Sequence, residues 1–115
     1  MNLSVTFRRA ARAEFIEAAA WYESQRPRLG VEFIAEIERC VDAAAERPTM
    51  YAAIDKDVRR VVANRFPFSV YFRVEERRIV ILAVFHGRRN PVIWQDRTRE
   101  PTDELPSESP RITGV

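Results

Sequence analysis

The chain has little of the residue types that carry most recognisable chemistry. Its 115 residues include one cysteine, one histidine, one lysine and three glycines. The single cysteine, Cys40, excludes an internal disulfide, and this scarcity of cysteine makes a cytoplasmic protein the expectation. Cys40 and His86 are far apart in sequence, so no metal centre of the usual imidazole and thiolate ligands is expected, and no cofactor. No apolar run approaches the ~18 residues of a membrane span. At the amino terminus Met1–Arg9 places its charges after its apolar residues, the wrong order for a secretory signal. The nucleophile elbow GxSxG, the phosphate-binding P-loop, CxxC and HExxH are all absent, which removes the common hydrolase, nucleotidase, redox and metalloprotease classes. There is no internal repeat.

The composition is that of one globular domain, with 46% hydrophobic and 31% charged residues. The net charge of +2 conceals an uneven distribution. Residues 1–55 hold 7 Arg against 9 acids, residues 56–97 hold 10 Lys and Arg against 4 acids, and residues 98–115 hold 2 Arg against 4 acids. Positive charge therefore gathers in the middle segment. All but one of the 19 basic residues are Arg, the forked, permanently charged side chain that suits phosphate and carboxylate partners. A GC-rich coding sequence produces the same bias, and both readings are open.

Leu3, Val5 and Phe7 alternate with polar residues and predict a short strand. From about Arg9 to Gln25 the period changes. Ala11, Phe15, Ala18, Ala19 and Tyr22 fall at helical spacing, and alanine favours helix. Pro27 and Gly30 break this helix and permit a sharp turn. A second helix runs from about Val31 to Glu46 on the stripe Phe33, Ile37, Cys40, Val41 and Ala44, ending at Arg47 and Pro48. So short a connection predicts an antiparallel helical hairpin. Period two then returns in Val58–Asn64 and Phe68–Val74. Glu75-Glu76-Arg77 reads as a hairpin turn, and Ile79–Phe85 is apolar throughout, as for a central strand covered on both faces. Val92-Ile93-Trp94 is a last short element. The expected class is α+β, ordered β-α-α-β-β-β, with an antiparallel sheet packed against the amino-terminal hairpin. Residues 1–97 form the domain. Residues 98–115, rich in Pro, Ser and acid, bury too little to offset their ordering entropy and read as a tail.

His86-Gly87-Arg88-Arg89 follows the apolar strand, so its side chains emerge at a sheet end. One reading makes Arg88 and Arg89 a clamp for phosphate or carboxylate and His86 a proton carrier. The other has His86 satisfying a turn and the arginines paired on the surface. Arg59 and Arg60 are neighbours on a strand, so one points toward the helices or the rim and the other toward the free face. With Arg65 and Arg73 they make either an anion-binding face or an ordinary solvated one. Trp94 either stacks on a target or closes the core, and Trp21 and Tyr22, at core-like spacing, read as packing.

Several of these segments resemble the RelE/ParE superfamily of bacterial type II toxins, closest to its ParE-like branch. They are Ala18-Ala19-Ala20-Trp21-Tyr22-Glu23, Gly30-Val31-Glu32-Phe33, Val58-Arg59-Arg60, Arg65–Phe72 and His86–Pro91 with Trp94. The resemblance covers roughly residues 3–97. It implies a toxin neutralised by a cognate antitoxin whose acidic carboxy-terminal segment wraps it. ParE-like members inhibit DNA gyrase, whereas RelE-like members cut mRNA on the ribosome without a metal. For a ribonuclease the candidates by position are Arg60, His86 and Arg89, with Lys56 before the sheet. RelE-like sites use several lysines and a late tyrosine, where this chain has one lysine and Trp94, so the resemblance favours gyrase. A non-toxic antitoxin-binding module is a third reading.

Overall fold

The structure, a computed structural model, describes residues 2–87. Strand β1 (Ser4–Phe7) leads into helix α1 (Arg9–Gln25), which is followed by helix α2 (Leu29–Glu46) and one 3-10 turn (Pro48–Met50). Four more strands complete the order: β2 (Ala53–Asp55), β3 (Val58–Val62), β4 (Phe68–Glu75) and β5 (Arg78–His86). The sheet order is β1-β5-β4-β3-β2.

The α+β class and the strand-hairpin-sheet order are as expected from the sequence, and two details differ. The sheet is mixed, because β1 pairs in parallel with β5, Val5 opposite Ile79 and Phe7 opposite Ile81. A short β2 also adds to the edge of β3. Ala53-Ile54-Asp55 has little intrinsic strand preference, and only its pairing with β3 makes it one.

Both helices cover one face of the sheet. The predicted stripe of α2 is entirely inside, with Phe33, Ile37, Cys40 and Ala44 fully buried and Val41 nearly so. Against it pack Phe15 and Ala19 of α1 and Val70, Phe72, Ile79 and Ile81 of the sheet. Phe33 is the hub of this core, its ring centroid 5.0 Å from those of Tyr22 and Phe68 and 5.2 Å from that of Phe66. Aromatic pairs at these separations add to simple burial.

The hairpin turn is built differently from the expectation. Arg28, not Gly30, adopts the left-handed conformation, at φ 74°. Gly30 is already inside α2, at a position that lies directly against the α1 backbone. The Glu23 carboxylate on α1 accepts the backbone N–H groups of Arg28 and Gly30, each at 2.9 Å. It thus satisfies amides that a helix amino terminus leaves without intrahelical partners, and it places negative charge at the positive end of α2.

The pairing of β4 with β5 shifts register between Tyr71 and Phe72: Tyr71 faces Ala83 while Phe72 faces Ile81. Leu82 is the extra residue of this bulge, so Leu82 and Ala83 both turn away from the helices. A second, smaller apolar cluster consequently lies on the outer face: Val58, Tyr71, Val80, Leu82, Ala83 and Phe85. The uninterrupted apolar run of β5 is explained by burial on both of its faces.

Candidate functional site

The sheet register decides which of the candidate residues share a surface. Arg60 lies opposite Tyr71 and is exposed on the outer face. It forms no ion pair among the described residues. Arg73 is on the same face, opposite Val80. Its guanidinium is held by Glu75 at 2.6 Å, and Arg78 reaches the same carboxylate at 2.9 Å. Burial works to raise the Glu75 carboxyl, but hydrogen bonds from Arg78 and Arg73 outweigh it and hold the group below its ordinary range. Arg73 is therefore a partly neutralised cation, and Arg60 is the accessible one.

Arg59 and Arg65 go elsewhere. Arg59, opposite Phe72, lies on the helix side, where its guanidinium donates to the Tyr51 carbonyl and ties down the loop after α2. The alternation of Arg59 and Arg60 between faces is thus as expected. Arg65, at φ 71°, reaches back to Glu32 of α2 at 2.7 Å, with its guanidinium 5.3 Å from the centre of the Phe66 ring. Lys56 stands at φ 53° in the exposed turn between β2 and β3, away from the β5 end of the sheet.

His86 is on the opposite face from Arg60. It pairs with Phe68, and the two rings meet edge-on at 5.5 Å on the side of the helices. There a groove of about 720 Å³ opens between α1 and the end of β5, lined by Glu14, Glu17, Trp21, Tyr22, Phe68 and His86 among others. Glu14 accepts the Val84 N–H at 3.0 Å, so the helix closes a backbone position of β5 beyond the reach of β1. Burial pushes the Tyr22 hydroxyl up from its ordinary value.

Trp21 corrects the packing expectation: it is 58% exposed on the rim of this groove, while Tyr22 packs inward. Consecutive helical positions lie about 100° apart, so with Tyr22 turned toward the core the neighbouring Trp21 points to the edge of the helix face. That spacing was the available signal for the groove. Glu14 and Glu17, one turn before the two aromatics, carried none by themselves. Arg88, Arg89 and Trp94 lie outside the described residues. No cluster of His, Cys, Asp or Glu able to hold a metal occurs among the described residues. No helix among them is long and apolar enough to cross a membrane.

Residues 5–91 match the family model of the ParE toxin of the type II toxin–antitoxin system parDE. The chain belongs to the ParE toxin family. That match spans both helices and all of the sheet except Ser4, so it rests on nearly the whole described chain and not on one motif. Among solved structures, a chain of the chromosomal ParDE toxin–antitoxin system from P. aeruginosa is similar, with a TM-score of 0.65 and 24% identity. The alignment covers 73% of this chain and 95% of that one, a likeness of fold. No curated protein matches the sequence.

Proposed function

We propose that this ParE-family chain is the toxin of a type II pair, that a cognate antitoxin neutralises it, and that it acts by inhibiting DNA gyrase and not by cutting RNA. One observation carries the choice of target: Arg60 and His86 project from opposite faces of the sheet. Metal-free cleavage of RNA needs a base for the 2′-hydroxyl, an acid for the leaving oxygen and cations on the phosphate, all within hydrogen-bond reach of one another's substrate atoms. A phosphate held by Arg60 is screened from His86 by the sheet itself. His86 instead packs on Phe68 in an apolar, acid-rimmed groove, a setting that suits a contact residue.

The same geometry refines the expected antitoxin. The groove beside α1 carries Glu14 and Glu17, so it favours a neutral or basic segment of the partner. Acidic residues of the antitoxin are expected at Arg60 on the other face.

The test is growth arrest on expression of the His86→Ala variant, with antitoxin binding measured alongside. Full arrest with binding intact supports the reading. Loss of arrest with binding intact would instead make His86 catalytic and point to mRNA cleavage. Antitoxin binding without arrest by the unaltered chain would leave it a binding module.

A further inference from the structure

Helix α1 is apolar on two sides. Ala11, Phe15 and Ala19 are buried in the core, yet Ala13, Ile16 and Ala20 are exposed. The exposed three succeed one another by three or four residues, so they line one side of the helix. On α2, Val31 and Ala35 are exposed at the same spacing. Ile16 and Val31 are 40% and 44% exposed, high for side chains of this kind in a helical hairpin that also covers a core. Between the helices a cleft of about 430 Å³ opens to solvent, lined by Ala20, Gly30, Val31 and Ile34 among others, all of them helix residues. Ile16 stands one turn before Ala20, about 6 Å along α1. The outward face of the hairpin therefore carries a projecting apolar side chain beside a hollow that could receive one. Glu17 and Trp21, which rim the groove at the end of β5, lie on the other flank of α1.

We infer that this face is where two copies of the chain meet, hairpin on hairpin, about a two-fold axis that lies in the contact and crosses both helices. Level with the midpoint between Ile16 and Ala20, such an axis brings Ile16 of each copy over Ala20 and the cleft of the other. One patch thus meets itself, with each projection matched to a hollow, which is what an isologous contact requires. The charges on the face suit the same pairing. A two-fold of this kind sets each helix antiparallel to its counterpart. Arg28, at the start of α2, then faces the end of the other α2 that carries Glu38 and Asp42, three and seven residues beyond Ala35 on the same side of that helix. Arg12, one turn before Ile16, faces Ser24 and the carboxy-terminal end of the other α1, where the helix dipole favours a cation. A parallel pairing would instead set Arg28 on Arg28 and Asp42 on Asp42. Unlike charges in register fix a contact, and like charges exclude the wrong one. The short side chains of Ala13, Ala20 and Ala35 let the paired helices come within the usual ~8–10 Å. Neither Arg60 nor the groove with Glu17 and Trp21 takes part, so the pairing is separate from the antitoxin contacts proposed above and holds whichever target the toxin has.

The experiment is sedimentation equilibrium of the purified full chain, freed from antitoxin, over a series of concentrations. A mass that rises with concentration to twice that of one chain is the expected result. Val31→Asp, which leaves an unpaired charge in the middle of the contact, is expected to weaken the association roughly ten-fold or more. Ala35→Arg is expected to do the same, and because Ala35 is exposed and arginine is a good helix former it keeps the test open if Val31→Asp does not fold. A single-chain mass at every concentration would overturn the inference. A dimer that the folded variants leave intact would overturn it too, by placing the contact on another surface. So would a dimer that the antitoxin takes apart, which would give the face to the antitoxin. A chain that stays monomeric and loses growth arrest on Ala35→Arg would give the face to the toxin's target.

Discussion

A side chain on Gly30 would meet the main chain of the neighbouring helix, for a Cβ built there lies 2.6 Å from the carbonyl oxygen of Ala19. The same atom would come within 2.9 Å of the Glu23 side chain, whose carboxylate bonds the Gly30 N–H. The close crossing of α1 and α2 and the capping of α2 therefore depend on one position without a side chain.

Gly30→Ala is expected to destabilise the fold by about 1–3 kcal/mol, although alanine ordinarily favours a helix interior by up to ~1 kcal/mol. The obstructing atom is backbone and cannot rotate aside. Chemical denaturation measures this, and a neutral or stabilising Gly30→Ala would show that the hairpin crosses less closely than described. Glu23→Ala, which removes only the cap, is expected to cost about 0.5–2 kcal/mol in the same assay.

Acid should loosen the grip of α2 on the loop between β3 and β4. Glu36 is hydrogen-bonded to Arg39 and accepts the Asn64 N–H, and these bonds outweigh burial to hold its carboxyl below the ordinary 4.5. A group depressed in the folded state stabilises above its unfolded value, and that contribution disappears as pH falls through the folded value. Stability is thus expected to decline below about pH 4.5, with Glu75 contributing in the same direction. Glu36→Gln keeps an acceptor for Asn64 but cannot titrate, so its acid limb should be shallower than that of the unaltered chain. Superimposable acid limbs would remove Glu36 from the account.

Cys40 should behave as a small hydrophobe. Burial, with Glu36 adding to it, pushes its thiol up to about 12, and the residue exposes none of its surface. Maleimide at neutral pH is expected to leave the folded chain unmodified and to label it fully in denaturant, as read by intact mass. Rapid labelling of the native chain would mean that the α2 face opens.

Arg60→Glu should weaken antitoxin binding, with little change in stability because the side chain is exposed and makes no ion pair among the described residues. The effect should shrink as salt is raised, since it depends on an exposed charge. Titration of the antitoxin at two ionic strengths checks this. Equal binding by both chains would move the acidic part of the partner elsewhere.

Much of the fold was legible in the sequence because its signals are local. The α2 stripe from Phe33 to Ala44 is a 3.6-residue pattern with one buried face, and the apolar run from Ile79 to Phe85 marks a strand covered twice. What was not legible depends on partners distant in the chain. The parallel pairing of Val5 with Ile79 joins residues at opposite ends of the domain, and nothing in either strand sets its direction. The bulge at Leu82 reverses the face of every residue after it, which places His86 and Arg60 on opposite faces of the sheet. Arg65 reads as one of a basic group until the chain turns at positive φ and delivers it to Glu32. Family membership, in contrast, came from the ordered set of segments, each of them unspecific alone.

The central claim is that this toxin acts on gyrase through contacts and not on RNA through catalysis. A supercoiling assay with the purified chain, freed from antitoxin, tests it most directly. The account predicts inhibition that the cognate antitoxin relieves and that survives His86→Ala. Folded protein that leaves supercoiling untouched while cleaving mRNA in a His86-dependent manner would contradict it.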